Sequence, residues 1–264
     1  MVMETPLTSN RPQSGQVLTP APRRGLRRGI YVLPTLFTLG NIFCGYLSID
    51  SAVNHKFDQA AMLLFLAGVL DGLDGRVARL TGTTSAFGEQ LDSLADVISF
   101  GVAPAFLVYL WALSDFGRLG LFVSFLFVVC GACRLARFNV QVHIVDKRFF
   151  VGLPIPSAAG ALAGLIWVLP DPLPSREAKA IFLVVTFILS WLMVSTLRYR
   201  SFKDVNDKSR RPAYVVPLLA LILVFLALLQ ERALTALLVF YALSAPITKI
   251  FTTIGAARRK VSGA

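Results

Sequence analysis

Cysteine, histidine and acidic side chains are scarce in this sequence of 264 residues: three cysteines, two histidines and 15 Asp plus Glu. Cys44, Cys130 and Cys133 all lie in apolar runs, and an odd, buried set excludes a disulfide framework. Cys130-Gly-Ala-Cys133 has the spacing of a redox motif, but in an apolar segment it reads as small residues at a helix contact. His55 and His143 fall in expected loops and suggest no metal cluster. Charged residues make up only 16% of the chain and hydrophobic ones 55%, at a mean hydropathy of +0.67. A soluble domain carries about 25% charged residues, so these figures exclude a disordered chain and an ordinary soluble one. Lipid is the solvent they imply.

Eight apolar segments fit the length, since a spanning helix needs about 20 residues. The expected spans are 33–53, 58–82, 86–113, 118–141, 154–170, 177–198, 213–230 and 233–254, separated by turn formers or charge. Six spans, with one hairpin not inserted, is the alternative. The fold expected is therefore an all-α integral membrane bundle. Residues 1–28 form an expected disordered tail, too polar at its start for a cleaved signal peptide and ending in Arg23, Arg24, Arg27 and Arg28. One membrane domain covers 29–255, and 256–264 is a basic C-terminal tail.

The net charge of +11 sits between the apolar runs, where it orients helices and meets anionic headgroups rather than nucleic acid. With the N-terminus placed in the cytoplasm, 21 of the 26 basic residues fall inside, and only Lys56, Arg118, Arg176, Lys179 and Arg232 outside. This bias predicts a multi-pass protein of the cell (inner) membrane with both termini cytoplasmic. Gly68-xxx-Gly72 and Gly160-xxx-Gly164 are spacings that let helices approach closely, so both are expected at helix contacts.

Against this apolar background, five acids lie between residues 71 and 96: Asp71, Asp74, Glu89, Asp92 and Asp96. Each costs roughly 2.5–3.5 kcal/mol inside a spanning helix. They could be solvated charges of an interfacial turn, but their spacing opposes that. Asp71 and Asp74 are i, i+3, and Gly88, Asp92 and Asp96 are i, i+4, i+8, so each set lines one helical face. The "GTTS" turn at 82–85 folds the two helices back antiparallel and brings the faces together near the cytoplasmic surface. Four converging carboxylates repel unless cations sit among them, and oxygen ligands alone favour Mg2+ or Mn2+. Two metals suit four aspartates and phosphoryl transfer. Gly75 and Ala78 lack bulk, so a ligand can approach the backbone. Arg79 offers a planar fork for phosphate, with an interfacial anchor as its bland alternative.

Residues 71–96 resemble the signature of the CDP-alcohol phosphatidyltransferase family, D-x2-D-G-x2-A-R-x8-G-x3-D-x3-D, at every fixed position. The resemblance implies a dimetal centre held by Asp71, Asp74, Asp92 and Asp96, with Asp96 also the general base. It implies that Gly75, Ala78 and Arg79 line the CDP-diacylglycerol pocket and that Gly88 keeps the third helix open to the nucleotide. The first-helix stretch "LPTLFTLGN" is similar to a family segment facing the nucleotide, which adds Thr38 and Asn41. A homodimer is implied as well.

The signature leaves the acceptor alcohol open. "RLARFN" (134–139), "FVGLPIP" (150–156) and "STLRYRSFKD" (195–204) look like the family's phosphatidylserine synthase branch, which implies L-serine. Serine's carboxylate needs a counter-charge, for which Arg134 and Arg137 are candidates, and Asn139 is polar enough to orient the amino acid. Positive-inside anchoring and helix ending are their alternatives. Glycerol 3-phosphate, an inositol compound or choline would serve the same chemistry, with Lys147 and Arg148 as extra basic groups for a phosphorylated acceptor. A cation or proton transporter is the reading from another class, but it favours acids at the midplane and internal repeats.

Overall fold

Runs of apolar residues closed by turn formers set the helices seen in a computed structural model, which describes residues 28–141, 149–171, 173–200, 234–244 and 246. Helix α1 (Arg28–Val53) turns back at Asn54–Lys56, where His55 takes a positive φ of 58°, and packs along its length on α2 (Phe57–Thr81). Ala60, Ala61 and Ala67 are fully buried, and their small side chains let α2 lie close to its neighbours. The Ser48 hydroxyl donates to the Ala60 carbonyl at 2.8 Å and fixes the register of this hairpin.

The next apolar run, Ala86–Trp111, is one continuous helical segment of 26 residues with a change of pitch inside it. Helix α3 (Ala86–Asp96) passes through a π turn at Val97–Val102 into α4 (Ala103–Trp111). Pro104 has no N–H to donate, and the Ala103 N–H bonds back to the Ile98 carbonyl across the wider turn. The π turn decouples the two halves. The acidic face of α3 turns towards α2, while α4 buries Ala103, Leu107, Val108 and Trp111 in the core. On its other side the turn meets α1, where the Ser99 hydroxyl donates to the Asn41 carbonyl at 2.9 Å. A Cβ on Gly45 would lie 2.6 Å from Ser99 Oγ and 2.9 Å from Ser99 Cα, so only glycine permits this approach.

A short 3-10 turn (Leu113–Phe116) leads into α5 (Arg118–Gln141). Strand β1 (Phe149–Val151) follows, then α6 (Ile155–Val168), α7 (Arg176–Val194), strand β2 (Arg198–Arg200) and α8 (Leu234–Ser244). At one end of the bundle the Trp111 indole donates to the Pro170 carbonyl, Lys179 pairs with Asp115, and the Arg176 guanidinium lies over Phe116. At the other end β1 and β2 pair antiparallel, Phe150 opposite Tyr199. This two-stranded clip of three residues a side is a small addition to the expected all-α bundle. It forms because the residues before α6 and after α7 leave the bundle side by side, with the Gly152 N–H also bonded to the Leu197 carbonyl.

Among the described residues four helices are long and apolar enough to cross a membrane, at Pro34–Val53, Ala86–Trp111, Arg118–Val140 and Arg176–Val194. They expose large apolar side chains such as Phe43, Phe122, Phe125, Ile181 and Trp191. An integral membrane protein follows. Helix α2 has the length, with 25 residues, but its last turns carry Asp71, Asp74, Arg76 and Arg79. Helix α6, with 14 residues, extends about 21 Å. The expected span at 213–230, the tails, and Lys147 and Arg148 lie outside the described residues.

The two glycine pairs differ. Gly160 and Gly164 meet α8, where added Cβ atoms would come within 3.0 Å of Leu238 Cδ1 and 2.6 Å of Thr235 Oγ1. Gly68 and Gly72 make no such contact: a Cβ on Gly68 only touches the Phe100 ring at 3.9 Å, and one on Gly72 meets nothing within 4 Å. The helix-contact expectation is corrected there. These residues instead border a largely apolar groove of about 520 Å³, with Arg76, Phe100, Ala159 of α6 and Leu238 of α8. Identical spacing gives opposite outcomes because only the first pair faces another helix.

Candidate active site

The turn between α2 and α3 is built from local chemistry. Gly82 closes α2 in the left-handed conformation (φ 64°), and the Thr83 N–H reaches the Ala78 carbonyl at 3.0 Å. Ser85 then caps α3 by accepting from the Gly88 N–H at 3.0 Å. These caps reverse the chain so that α3 packs on α1 and brings Asp92 to Asp71 and Asp74 of α2.

Ligand atoms of Asp71, Asp74 and Asp92 lie within 4.8 Å of one another. The Asp96 carboxyl, one turn beyond Asp92, lies beside that of Asp71 and within electrostatic reach of Asp92. Three unit negative charges at this separation repel by at least about 3 kcal/mol per pair at an effective dielectric of ~20. Buried Oδ1 atoms of Asp92 and Asp96 have no hydrogen-bond partner. A cluster of oxygen donors with orphaned lone pairs fits a hard divalent cation, which these residues could hold. Asp74 is buried, and its Oδ2 accepts from the Thr38 hydroxyl at 2.9 Å.

Beside the carboxylates the surface of α2 is open. A Cβ at Gly75 would meet only Arg79 Nη2, at 3.9 Å, and Arg79 is exposed. Ala78 is half-buried between them. Gly88 faces the Ser85 hydroxyl, 3.2 Å from where a Cβ would be. On α1, Asn41 is fully buried with both side-chain polar atoms unpartnered.

The three residues expected on the acceptor side separate. Arg134 is buried, at 6% exposure, with its Nε unpartnered and its guanidinium 5.3 Å from the Phe138 ring centroid. It lies within electrostatic reach of Asp96 and of the Tyr241 phenol. Arg137 instead donates to the Val194 carbonyl at the end of α7, at 2.9 Å. Asn139 donates to Ser93 Oγ on α3, also at 2.9 Å, at the exposed rim. Tyr241 of α8 is the neighbour that sequence reasoning missed. The last apolar run holds no charge at that point, and a lone tyrosine gives no signal without the fold.

Such a site offers carboxylates to hold cations and accept a proton, a basic residue beside the last carboxylate, and open backbone for an anionic ligand. The sequence profile of CDP-alcohol phosphatidyltransferase matches residues 31–248. The CDP-diacylglycerol–serine O-phosphatidyltransferase of Helicobacter pylori is 46% identical over 216 residues, 81% of this chain and 88% of that protein. The enzyme of the same name from Bacillus subtilis is 36% identical over 172 residues, 65% of this chain and 91% of its own. An archaetidylserine synthase from Methanothermobacter thermautotrophicus is 41% identical over 169 residues, 63% of this chain and 69% of its own.

Proposed function

This chain belongs to the CDP-alcohol phosphatidyltransferase family, and from that membership we propose that it transfers the phosphatidyl group of CDP-diacylglycerol to L-serine, releasing CMP. The observation that carries the reading is the gathered carboxylates of Asp71, Asp74 and Asp92 with Asp96 beside them and the buried Arg134 next to Asp96. The names of the relatives support serine as acceptor.

Asp71, Asp74, Asp92 and Asp96 would hold two divalent cations, Mg2+ or Mn2+, which when bound neutralise the diphosphate. The open backbone at Gly72 and Gly75, with Ala78 and Arg79, receives the cytidine diphosphate, and Gly88, Thr38 and Asn41 complete its surroundings. The apolar groove starting at Gly72 and Arg76, next to Asp71 and Asp74 in sequence, accommodates the acyl chains. Serine's hydroxyl is a weak nucleophile at neutral pH. Asp96 accepts its proton as the oxygen bonds to the β-phosphorus and the bond to the CMP oxygen breaks. Arg134 supplies the counter-charge for the serine carboxylate, and Asn139 orients the amino acid from the rim.

The protein works as a homodimer in the cell membrane, with about eight spans, the site towards the cytoplasm and both termini cytoplasmic. Cysteine labelling at residues 5 and 262 tests this orientation, and opposite-side accessibility would refute it. For the reaction, purified protein in nanodiscs is given labelled CDP-diacylglycerol and serine, glycerol 3-phosphate, inositol or choline in turn. CMP release with serine and not with the others is expected. Preferred use of glycerol 3-phosphate would overturn the acceptor, and cation transport without CMP release would overturn the enzyme.

A further inference from the structure

We infer that Thr38 is a positioning residue for the cation site: its hydroxyl holds the Asp74 carboxylate in the orientation in which it faces Asp71 and Asp92. The inference rests on the proposed cation site and gives Thr38 a second task beside lining the nucleotide pocket. Thr38 and Asp74 are 36 residues apart in sequence and both are buried, at 5% and 4% exposure, so no bulk water shares the contact. The hydroxyl has one proton and two acceptors in reach, Asp74 Oδ2 at 2.9 Å and the Pro34 carbonyl, one turn back, at 3.2 Å. An ionised carboxylate only accepts, and a hydrogen bond to it is roughly twice as strong as a neutral one. The proton therefore goes to Asp74. That bond fixes one carboxylate oxygen and leaves the other for a cation.

The hydroxyl can act as a fixed point because α1 is itself pinned. Asn41, one turn beyond Thr38, offers its carbonyl to Ser99, and further along Ser48 is bonded to the Ala60 carbonyl. Helix α1 is thus tied to the α3–α4 segment and to α2, the two elements that carry the aspartates. Partners that orient metal-binding side chains typically contribute 10–100-fold in metal affinity.

The test is Mn2+ binding to the full-length protein in nanodiscs, followed by electron paramagnetic resonance in the absence of both substrates. Thr38→Val, which keeps the shape and removes the hydroxyl, is expected to weaken Mn2+ binding 10–100-fold, and Thr38→Ser to restore it to within about 3-fold. Native-like Mn2+ affinity in T38V would overturn the inference alone. Failure of the native protein to bind Mn2+ at all would instead overturn the cation site on which the inference rests.

Discussion

Replacing Arg134 and Arg137 one at a time should have different consequences, although the two arginines sit in one "RLARFN" stretch. Arg137 is engaged with the Val194 carbonyl at 2.9 Å, so Arg137→Leu removes a tie between the ends of α5 and α7. Arg134 is buried, has an unpartnered Nε and lies within electrostatic reach of Asp96, so on the proposed reading Arg134→Leu removes the counter-charge for the serine carboxylate. A hydrogen bond to a charged group contributes about 1.5–3 kcal/mol, and each 1.4 kcal/mol is a factor of ten. Loss of the carboxylate contact should therefore raise the KM for serine about 10- to 150-fold in R134L, with less than about a 3-fold change for CDP-diacylglycerol. Lysine should rescue poorly, because a point charge does not replace a planar fork. R137L should lower the thermal midpoint while leaving both KM values within about 3-fold, since its loss is structural. The assay is CMP release with each substrate varied at saturation of the other. Equal loss of affinity for both substrates in R134L, or a serine-specific defect in R137L, would refute the assignment.

Asp71→Asn, Asp74→Asn and Asp92→Asn should each abolish turnover, and exhaustive chelation should do the same reversibly; full activity without divalent cations would contradict the reading of the cluster. Asp96→Asn should lose turnover by a factor of at least about 100 yet retain CDP-diacylglycerol in an equilibrium binding assay, because the amide cannot take the serine proton. Loss of lipid binding in that variant would make Asp96 mainly a ligand. Gly45→Ala should cost about 1–3 kcal/mol of stability through the 2.6 Å clash with Ser99 Oγ. Gly72→Ala, with nothing within 4 Å, should leave the thermal midpoint unchanged and raise the KM for CDP-diacylglycerol; the reverse pattern would misplace the groove.

Much of the architecture is legible in the chain because apolar runs and turn formers act locally. The expected 58–82 and 118–141 match α2 (Phe57–Thr81) and α5 (Arg118–Gln141), and the i, i+3 and i, i+4 spacings of the aspartates put each pair on one face of its helix. The π turn inside Ala86–Trp111 is invisible to hydropathy, which reads length and not helical phase; Pro104 is its one local sign. The two glycine pairs show a second limit, since spacing reports a flat face and not what lies opposite. Arg134 and Arg137 show a third. Two arginines three apart are equivalent in sequence, and only the end of α7 distinguishes them by offering a carbonyl to one. Tyr241 and the Thr38–Asp74 bond depend on contacts between distant segments, which no local pattern encodes.

The central claim, that serine's own hydroxyl oxygen attacks the phosphorus of CDP-diacylglycerol, is tested most directly by following that atom. Serine carrying 18O in its hydroxyl is supplied to the purified protein with unlabelled CDP-diacylglycerol and a divalent cation, and both products are examined by mass spectrometry. The account predicts phosphatidylserine that retains the label, with unlabelled CMP formed in equal amount. CMP released without phosphatidylserine, or phosphatidylserine that lacks the label, would contradict it.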